Sequence, residues 1–324
     1  MAEAPISGAA AYCQYGWEET AFATESASLD KAFGKDVKVT INPRMPYKRL
    51  YGLGSPEAVA AVALGYEGNL TIEFTLASSY FLKGVFGTVD DGGATPFTHT
   101  YDYNTGYTTT SMSIEVGFDL DTDNVYKFLG CVVDSCVISG KVGEEVKVTL
   151  NIKYANETKA TTGLDAEPAE DAETPMTFAQ GSLEIPNATT IARVDSFTLT
   201  IARNAKMLYG LGSRIPSAAI WLNTAFDFSL KSTYENDDFI EDFYGQTTGP
   251  YTATTPAGNG SLELTITNSG AGALERSVVF LMTTTYFEAV SKKASSEEEV
   301  MQDIVGFCLG QTSVIGSDNT ETTP

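Results

Sequence analysis

The hexamer Leu50-Tyr51-Gly52-Leu53-Gly54-Ser55 returns unchanged as Leu208-Tyr209-Gly210-Leu211-Gly212-Ser213, 158 residues further along the chain. At the same offset, Phe81-Leu82 and Val85-Phe86-Gly87 return as Phe239-Ile240 and Phe243-Tyr244-Gly245. Between them, the alternating Leu70, Ile72, Phe74 and Leu76 line up with Phe228, Leu230, Ser232 and Tyr234. Three features held in one register are hard to obtain by chance. The period far exceeds the about 20–50 residues of a solenoid repeat and matches a whole domain. The chain therefore reads as two tandem copies of one domain.

Each copy reads as four or five antiparallel strands with one short helix. A strand from Asp36 to Ile41 corresponds to one around Phe197, Leu199 and Ile201. A loop with Pro43 and Pro46 and the Gly-Leu-Gly turn follow. The second strand runs from Val59 to Leu76, broken near Gly65–Gly68. Ser78 or Ser79 is expected to cap a helix ending at Gly87; in the second copy Asn236-Asp237-Asp238 starts the helix and Gly245 stops it. Loops follow at Thr88–Thr110 and Gln246–Gly260, the second eight residues shorter. Past them, Met112, Ile114 and Val116 align with Leu262, Leu264 and Ile266, alternating as half-buried strands do. Strands Cys131–Ser139 and Val146–Tyr154 close the first copy. Ser277–Val290 and Glu299–Leu309, the latter also a strand by analogy, close the second. The expected organisation is an N-terminal arm (1–35), a first copy (36–158), an acidic linker (159–175), a second copy (176–310) and a tail (311–324). Long helices are not expected, and the fold class is β-rich α+β.

Composition narrows the function. The 42 acids against 20 bases give a net charge of -22. Tight binding to nucleic-acid phosphates needs Lys and Arg to displace counterions, so that class is disfavoured; a surface along which DNA slides without sticking is not. No apolar run approaches the roughly 18–20 residues of a membrane span. The start Met1-Ala2-Glu3-Ala4-Pro5 lacks the basic and apolar regions of a secretory signal. Cys13, Cys131, Cys136 and Cys308 are then expected as thiols rather than disulfides. Cys131 and Cys136, five apart on a strand, should point to opposite faces, each as a small core residue.

Catalysis fits badly. His99 is the single histidine, and as a lone loop residue it is expected at the surface. No Ser-His-Asp set can be repeated in the second copy, and a His/Cys zinc site fails for the same reason. Asp119–Asn124 begins like a calcium loop, but Asn124 stands where Gly is required and Gly130 where Glu is required. Gly52–Ser55 has no following Lys, so it reads as a turn rather than a phosphate loop. Tyr101, Tyr103 and Tyr107 lack interleaved bases and read as a hairpin face or subunit contact. No catalytic, cofactor or metal residues are assigned.

The order of elements does have a counterpart. The stretch Tyr15-Gly16-Trp17-Glu18-Glu19-Thr20-Ala21-Phe22-Ala23-Thr24 resembles the "G-x-E-T-x-x-G-T" opening of tail tube proteins of tailed phages, with Ala23 where that family has Gly. Tyr126–Cys136 is similar to the family's Gly-Cys strand start, and Gly143–Leu150 to its closing strand. The second copy matches more faintly over Arg193–Gly245, without the Gly-Cys start. The resemblance implies two packed antiparallel sheets plus a helix, in tandem tube domains that assemble as stacked rings around a lumen. Because the family uses six such domains per ring, two per chain imply a ring of three chains, with six as the alternative. It also implies other tail proteins as partners (tape measure, terminator, baseplate or tip) and double-stranded DNA passing through unbound. The net charge leads us to expect a negative lumen wall. The arm, the Thr88–Thr110 loop and the linker, poor in core-forming residues, are expected to order only on stacking. The competing reading is a β-rich viral surface, adhesion or capsid-decoration module.

Overall fold

The computed structural model describes residues 11–93, 97–103, 109–118, 124–163, 174–185, 190–191, 193–245, 249, 260–268, 276–296 and 299–318. The first half contains β1 (Tyr12–Trp17), β2 (Lys31–Ala32), β3 (Lys35–Arg44), the hairpin β4 (Tyr47–Tyr51) and β5 (Ala58–Ala63), β6 (Glu67–Thr75), α1 (Leu82–Phe86), β7 (Gly87–Gly92), β8 (Phe97–Tyr103), β9 (Met112–Gly117), β10 (Val125–Lys141), β11 (Lys147–Tyr154) and β12 (Asn156–Ala160). The second half contains β13 (Gly181–Glu184), β14 (Val194–Ala202), the hairpin β15 (Ala205–Tyr209) and β16 (Pro216–Trp221), β17 (Ala225–Thr233), α2 (Asp238–Tyr244), β18 (Leu262–Thr267), β19 (Ser277–Lys293) and β20 (Met301–Asp318).

One antiparallel sheet runs through both halves in the order β13-β18-β19-β20-β17-β14-β10-β11-β6-β3. The first half pairs β3 with β6, β6 with β11, β11 with β10, β10 with β9 and β9 with β1. In the second half β14 pairs with β17, β17 with β20, β20 with β19, β19 with β18 and β18 with β13. Ladder slips also fall alike: β10 shifts between Val133 and Ser135, β19 between Phe287 and Ala289.

Strict alternation dictates the core. Leu70, Ile72 and Phe74 on β6, Val148, Leu150 and Ile152 on β11, and Phe197, Leu199 and Ile201 on β14 all point to one buried face. Burying each such side chain contributes roughly 1.5–3 kcal/mol. The second layer comes from β1, β9 and the first part of β10. Tyr15 stacks on Phe33 (4.4 Å), Phe33 approaches Phe74 (5.8 Å) and Phe74 meets Phe81 edge-on (5.1 Å), so one aromatic file ties β1 to β6 and the α1 entrance.

Several expectations change. Within the expected arm, Tyr12–Trp17 form β1, and Tyr15, Trp17, Leu29 and Phe33 are buried. The Thr88–Thr110 segment contains the hairpin β7–β8, whose outer strand pairs with the end of β20. The proposed linker begins inside β12, and β20 carries the final strand past Leu309 into the expected tail; residues 164–173 lie outside the described residues. Cys131 and Cys136 both face the core, because the bulge at Asp134 adds one residue and flips the parity of the strand. His99 is fully buried rather than at the surface. Helix α1 begins at Leu82 with no side-chain cap, so Ser78 and Ser79 do not cap it. Gly87 and Gly245 end the two helices in the left-handed conformation, as expected. The last strand of the second half is a strand, as expected. The Asp119–Asn124 turn and Tyr107 fall largely or wholly outside the described residues.

Candidate functional site

Three arrangements define what this chain presents to others. The first is a knot around Glu18, where the two sequence stretches singled out above meet. Glu18 Oε2 accepts the Ala23 backbone N–H (2.8 Å) and the Ser111 hydroxyl (2.7 Å). Its Oε1 accepts the Ser113 hydroxyl (3.0 Å) and the Gly130 backbone N–H (2.7 Å). One carboxylate thus fastens the turn after β1 to β9 and to the bend of β10. Gly130 adopts φ +65°, and a Cβ there would press on Phe22 and Ala155 at 2.9 Å, so a side chain is barred. Ala23 sits at φ 57°, a conformation that costs an L-residue roughly 1–2 kcal/mol. The position where the chain departs from the resembled pattern is therefore one where glycine is the unstrained residue. Ala23→Gly is expected to stabilise the fold by about 0.5–1 kcal/mol after the entropy glycine adds to the unfolded chain; a lowered urea midpoint would contradict this.

The second arrangement is the junction between the halves. Seven residue pairs, from Ser135↔Ala202 to Lys141↔Ser196, join β10 to β14. The hairpin β15–β16 folds back on the outer side of β10, where Val132, Ala205, Ala219 and Trp221 form a small separate core. The Trp221 indole N–H donates to the Val133 carbonyl (3.0 Å), and the buried Arg203 guanidinium lies 4.0 Å from the Trp221 ring centroid. Lys153 Nζ donates to Asp134 (2.8 Å) and to the Ala205 carbonyl (2.7 Å), closing the rim. A second tie is β8, whose Phe97–Asp102 pair with Ser313–Asp318 of β20.

The third arrangement is the pair of open edges. Among the described residues, β3 pairs only with β6 and Ala289–Lys292 of β19 only with β20, while nearer Met282 the Thr285 N–H donates to the Gly260 carbonyl. Unpaired edges are templates for another strand. The hairpin β4–β5 is likewise uncovered: Met45, Tyr47, Leu50, Tyr51, Val59, Val62 and Leu64 are all exposed.

The remaining candidates are structural. His99 Nδ1 and Asp91 Oδ1 are 2.7 Å apart across the β7–β8 ladder, with Tyr80 and Tyr101 rings beside the imidazole. Tyr101 is buried and its hydroxyl is 3.1 Å from Ser79 Oγ, so it packs inside rather than forming a stacking platform. The two Gly-Leu-Gly-Ser segments make the same turn: Gly54 and Gly212 have φ +82° and +86°, and Ser55 and Ser213 N–H groups donate back to Gly52 and Gly210 carbonyls. Backbone geometry explains their repetition. Burial pushes Cys308 up to about 12 and, with the nearby Glu18 charge, holds Cys131 well above the usual thiol range; these thiols stay neutral and unreactive. Burial, and then a hydrogen bond to Glu157 (2.7 Å), drives Tyr154 far up; burial takes its partner Tyr66 to about 12. No group of three or more His, Cys, Asp or Glu side chains gathers as a metal site among the described residues. No helix there is long and apolar enough to cross a membrane.

Of these features, sequence reasoning found the repeated turn but missed Glu18 as a hub and the Arg203–Trp221 pair. The signal for the second was a contrast: Arg203 and Trp221 stand where the first half has Met45 and Ala63.

A continuous antiparallel sheet ending in β3 on one side defines a β-rich structural building block. The chain belongs to the phage tail tube protein family, whose model matches residues 9–304. Such a protein is a structural component of the virion tail that self-assembles into a tube and meets other tail proteins, and the family is normally non-enzymatic. No curated protein matches the chain.

Proposed function

We propose that the chain is a fused duplicate of the tube domain, with copies at 36–158 and 176–310, and that three chains close into a ring with pseudo-sixfold symmetry. Rings stack into a conduit through which double-stranded DNA passes without specific binding. Tape measure, terminator and baseplate or tip proteins bind its interior and ends.

One observation carries the reading. The β10·β14 ladder inside the chain joins the last strand of one half-sheet to the first strand of the next. The corresponding last strand of the second half is β19 and the first strand of the first half is β3, and both are open. Repeating the internal junction between chains satisfies both edges. Head-to-tail contacts of this kind form rings when the rotation closes.

The wall of such a ring is the exposed face of the sheet. It carries Asn42, Asn69, Thr71, Thr149, Ser139, Thr198 and Ser229, with Glu67, Glu73, Asp227 and Asp303 beside Lys38, Lys147, Lys231 and Lys293. That face is mixed in charge at these positions and apolar at Tyr286, Val305, Phe307 and Leu309, which share it with Asp303. Repulsion of DNA then comes from the net charge of -22 on every chain, acting over roughly the 10 Å Debye length. The test is the mass of a cross-linked ring together with an image down the tube axis. Three chains with six similar lobes are expected; six chains per ring would sink the three-chain closure.

A further inference from the structure

We infer that the cavity beside α2 receives the guanidinium of an arginine side chain presented by another protein of the tail. The inference goes beyond the ring reading and stands without it.

The two halves differ where their short helices pack on the sheet. In the first half that place is filled. Trp17 of β1 sets its ring edge 3.4 Å from where a Cβ on Gly84 would stand. Phe74 packs between Phe33 (5.8 Å) and Phe81 (5.1 Å), and its ladder partner is the buried Val148. The Lys83 ammonium lies 5.1 Å from the Trp17 ring centroid.

Corresponding positions follow from the repeat and the ladders. The 158-residue offset takes Phe33, Phe74, Lys83 and Gly84 to Ile191, Ser232, Glu241 and Asp242. Val148 opposite Phe74 becomes Gln302 opposite Ser232. Leu183↔Leu264 is the counterpart of Tyr15↔Ile114, so Ile185 falls at the position of Trp17. Two phenyl rings and an indole have become Ile191, Ser232 and Ile185. Such large-to-small changes leave space. Here they leave a cavity of about 270 Å³, lined by Ile185, Ile191, Phe239, Glu241, Asp242 and Gln302.

The new lining is polar as well as small. Ser232 and Gln302 are buried. Gln302 Nε2 donates to Ser232 Oγ (3.1 Å), while its Oε1 has no partner among the described residues. A buried acceptor without a donor costs stability, and the first half shows that an apolar pair fits the same place. Lys83 and Gly84 have given way to two carboxylates. Burial, and then the charges of Asp238 and Glu241, push the Asp242 carboxyl up. At the exposed rim Arg193 meets Glu235 at 3.4 Å.

Relative to the first half, the second lacks a flat ring and a cation. A guanidinium is both. It is planar and always charged, its five N–H donors can bridge separated oxygens, and it stacks on aromatic rings such as Phe239. A metal ion fits less well, because no three acidic side chains among the described residues gather to ligate one. A lysine ammonium supplies the charge without the plane. Exposed Glu235, Asn236 and Asp238 at the mouth can meet the polypeptide that carries the arginine.

The test titrates the intact chain, as the free subunit at physiological salt, with acetyl-Gly-Arg-Gly-amide and follows NMR shifts. The peptide should move the Gln302 side-chain amide and Asp238–Asp242, and bind at least about fivefold more tightly than acetyl-Gly-Lys-Gly-amide. Asp242→Asn should weaken binding about tenfold. Ser232→Phe with Gln302→Val rebuilds the first-half pair. It should abolish binding while the melting temperature holds or rises, which separates loss of the cavity from loss of the fold. Equal binding of the two peptides, or shifts spread over the acidic surface, would reduce the effect to attraction by the net charge of -22 and overturn the inference. Tighter binding of free L-arginine than of the peptide overturns it in favour of a small molecule. Displacement of the peptide by an equal concentration of calcium chloride overturns it in favour of a metal, and no binding at all overturns it outright.

Discussion

Chains carrying Asn42→Cys and Ser291→Cys should become covalently joined in assembled tubes, ending at closed sets of three, and should stay unjoined as free subunits. The pair follows from the internal junction, where Val137 lies opposite Thr200. The bulges at Asp134 and Glu288 align β10 with β19 at an offset of 154, which takes Val137 to Ser291, and the 158-residue repeat takes Thr200 to Asn42. Opposed residues in an antiparallel pair have Cα atoms about 4.5–5.5 Å apart, within the roughly 4.4–6.8 Å that a disulfide spans. Native Cys131, Cys136 and Cys308 are buried and Cys13 is half-buried; the unsubstituted chain, treated alike, should stay unjoined. A slip of one residue would turn one side chain to the other face, so Asn42→Cys with Lys292→Cys should not join. Denaturing gels read the outcome. Tubes visible by microscopy without linked chains would remove the ladder as the ring contact.

Removing the Glu18 carboxylate should be among the most costly single changes in the first half. Glu18→Ala leaves the Gly130 and Ala23 N–H groups and two serine hydroxyls without their shared acceptor. Hydrogen bonds to a charged group contribute roughly 1.5–3 kcal/mol each, but the serines can turn to other partners. A loss of about 3–5 kcal/mol is expected, lowering the melting temperature by roughly 5–8 °C for a chain of this size. Glu18→Gln keeps the shape but turns an amide toward two donors, so about half of that loss should remain. A melting temperature within about 1 °C of wild type for Glu18→Ala would show that the knot is incidental.

Much of the fold was readable because β-structure writes itself with a period of two. Leu70, Ile72 and Phe74, or Val148, Leu150 and Ile152, declare a buried face without any knowledge of their partners. Gly87 and Gly245 marked helix ends because only glycine reaches the left-handed turn at no cost. The repeated Gly-Leu-Gly-Ser marked a turn for the same reason.

What the sequence determined by itself is the set of local elements, the repeated Leu-Tyr-Gly-Leu-Gly-Ser segment, and the residue types that suit a phage tail tube. The tertiary structure decided everything that depends on two distant segments meeting. Glu18 looked like any surface acid until Ser111, Ser113 and Gly130 were brought around it. Cys136 turned inward only because a bulge at Asp134 changed the parity of its strand. His99 was buried by Asp91 across a hairpin and by Tyr80 from another element. The contrast between the covered β15–β16 and the bare β4–β5 is likewise a fact of position, since the two hairpins share a turn sequence. Burial is a property of neighbours, and neighbours far apart in the chain are set by the summed energy of the whole sheet, which no local pattern encodes.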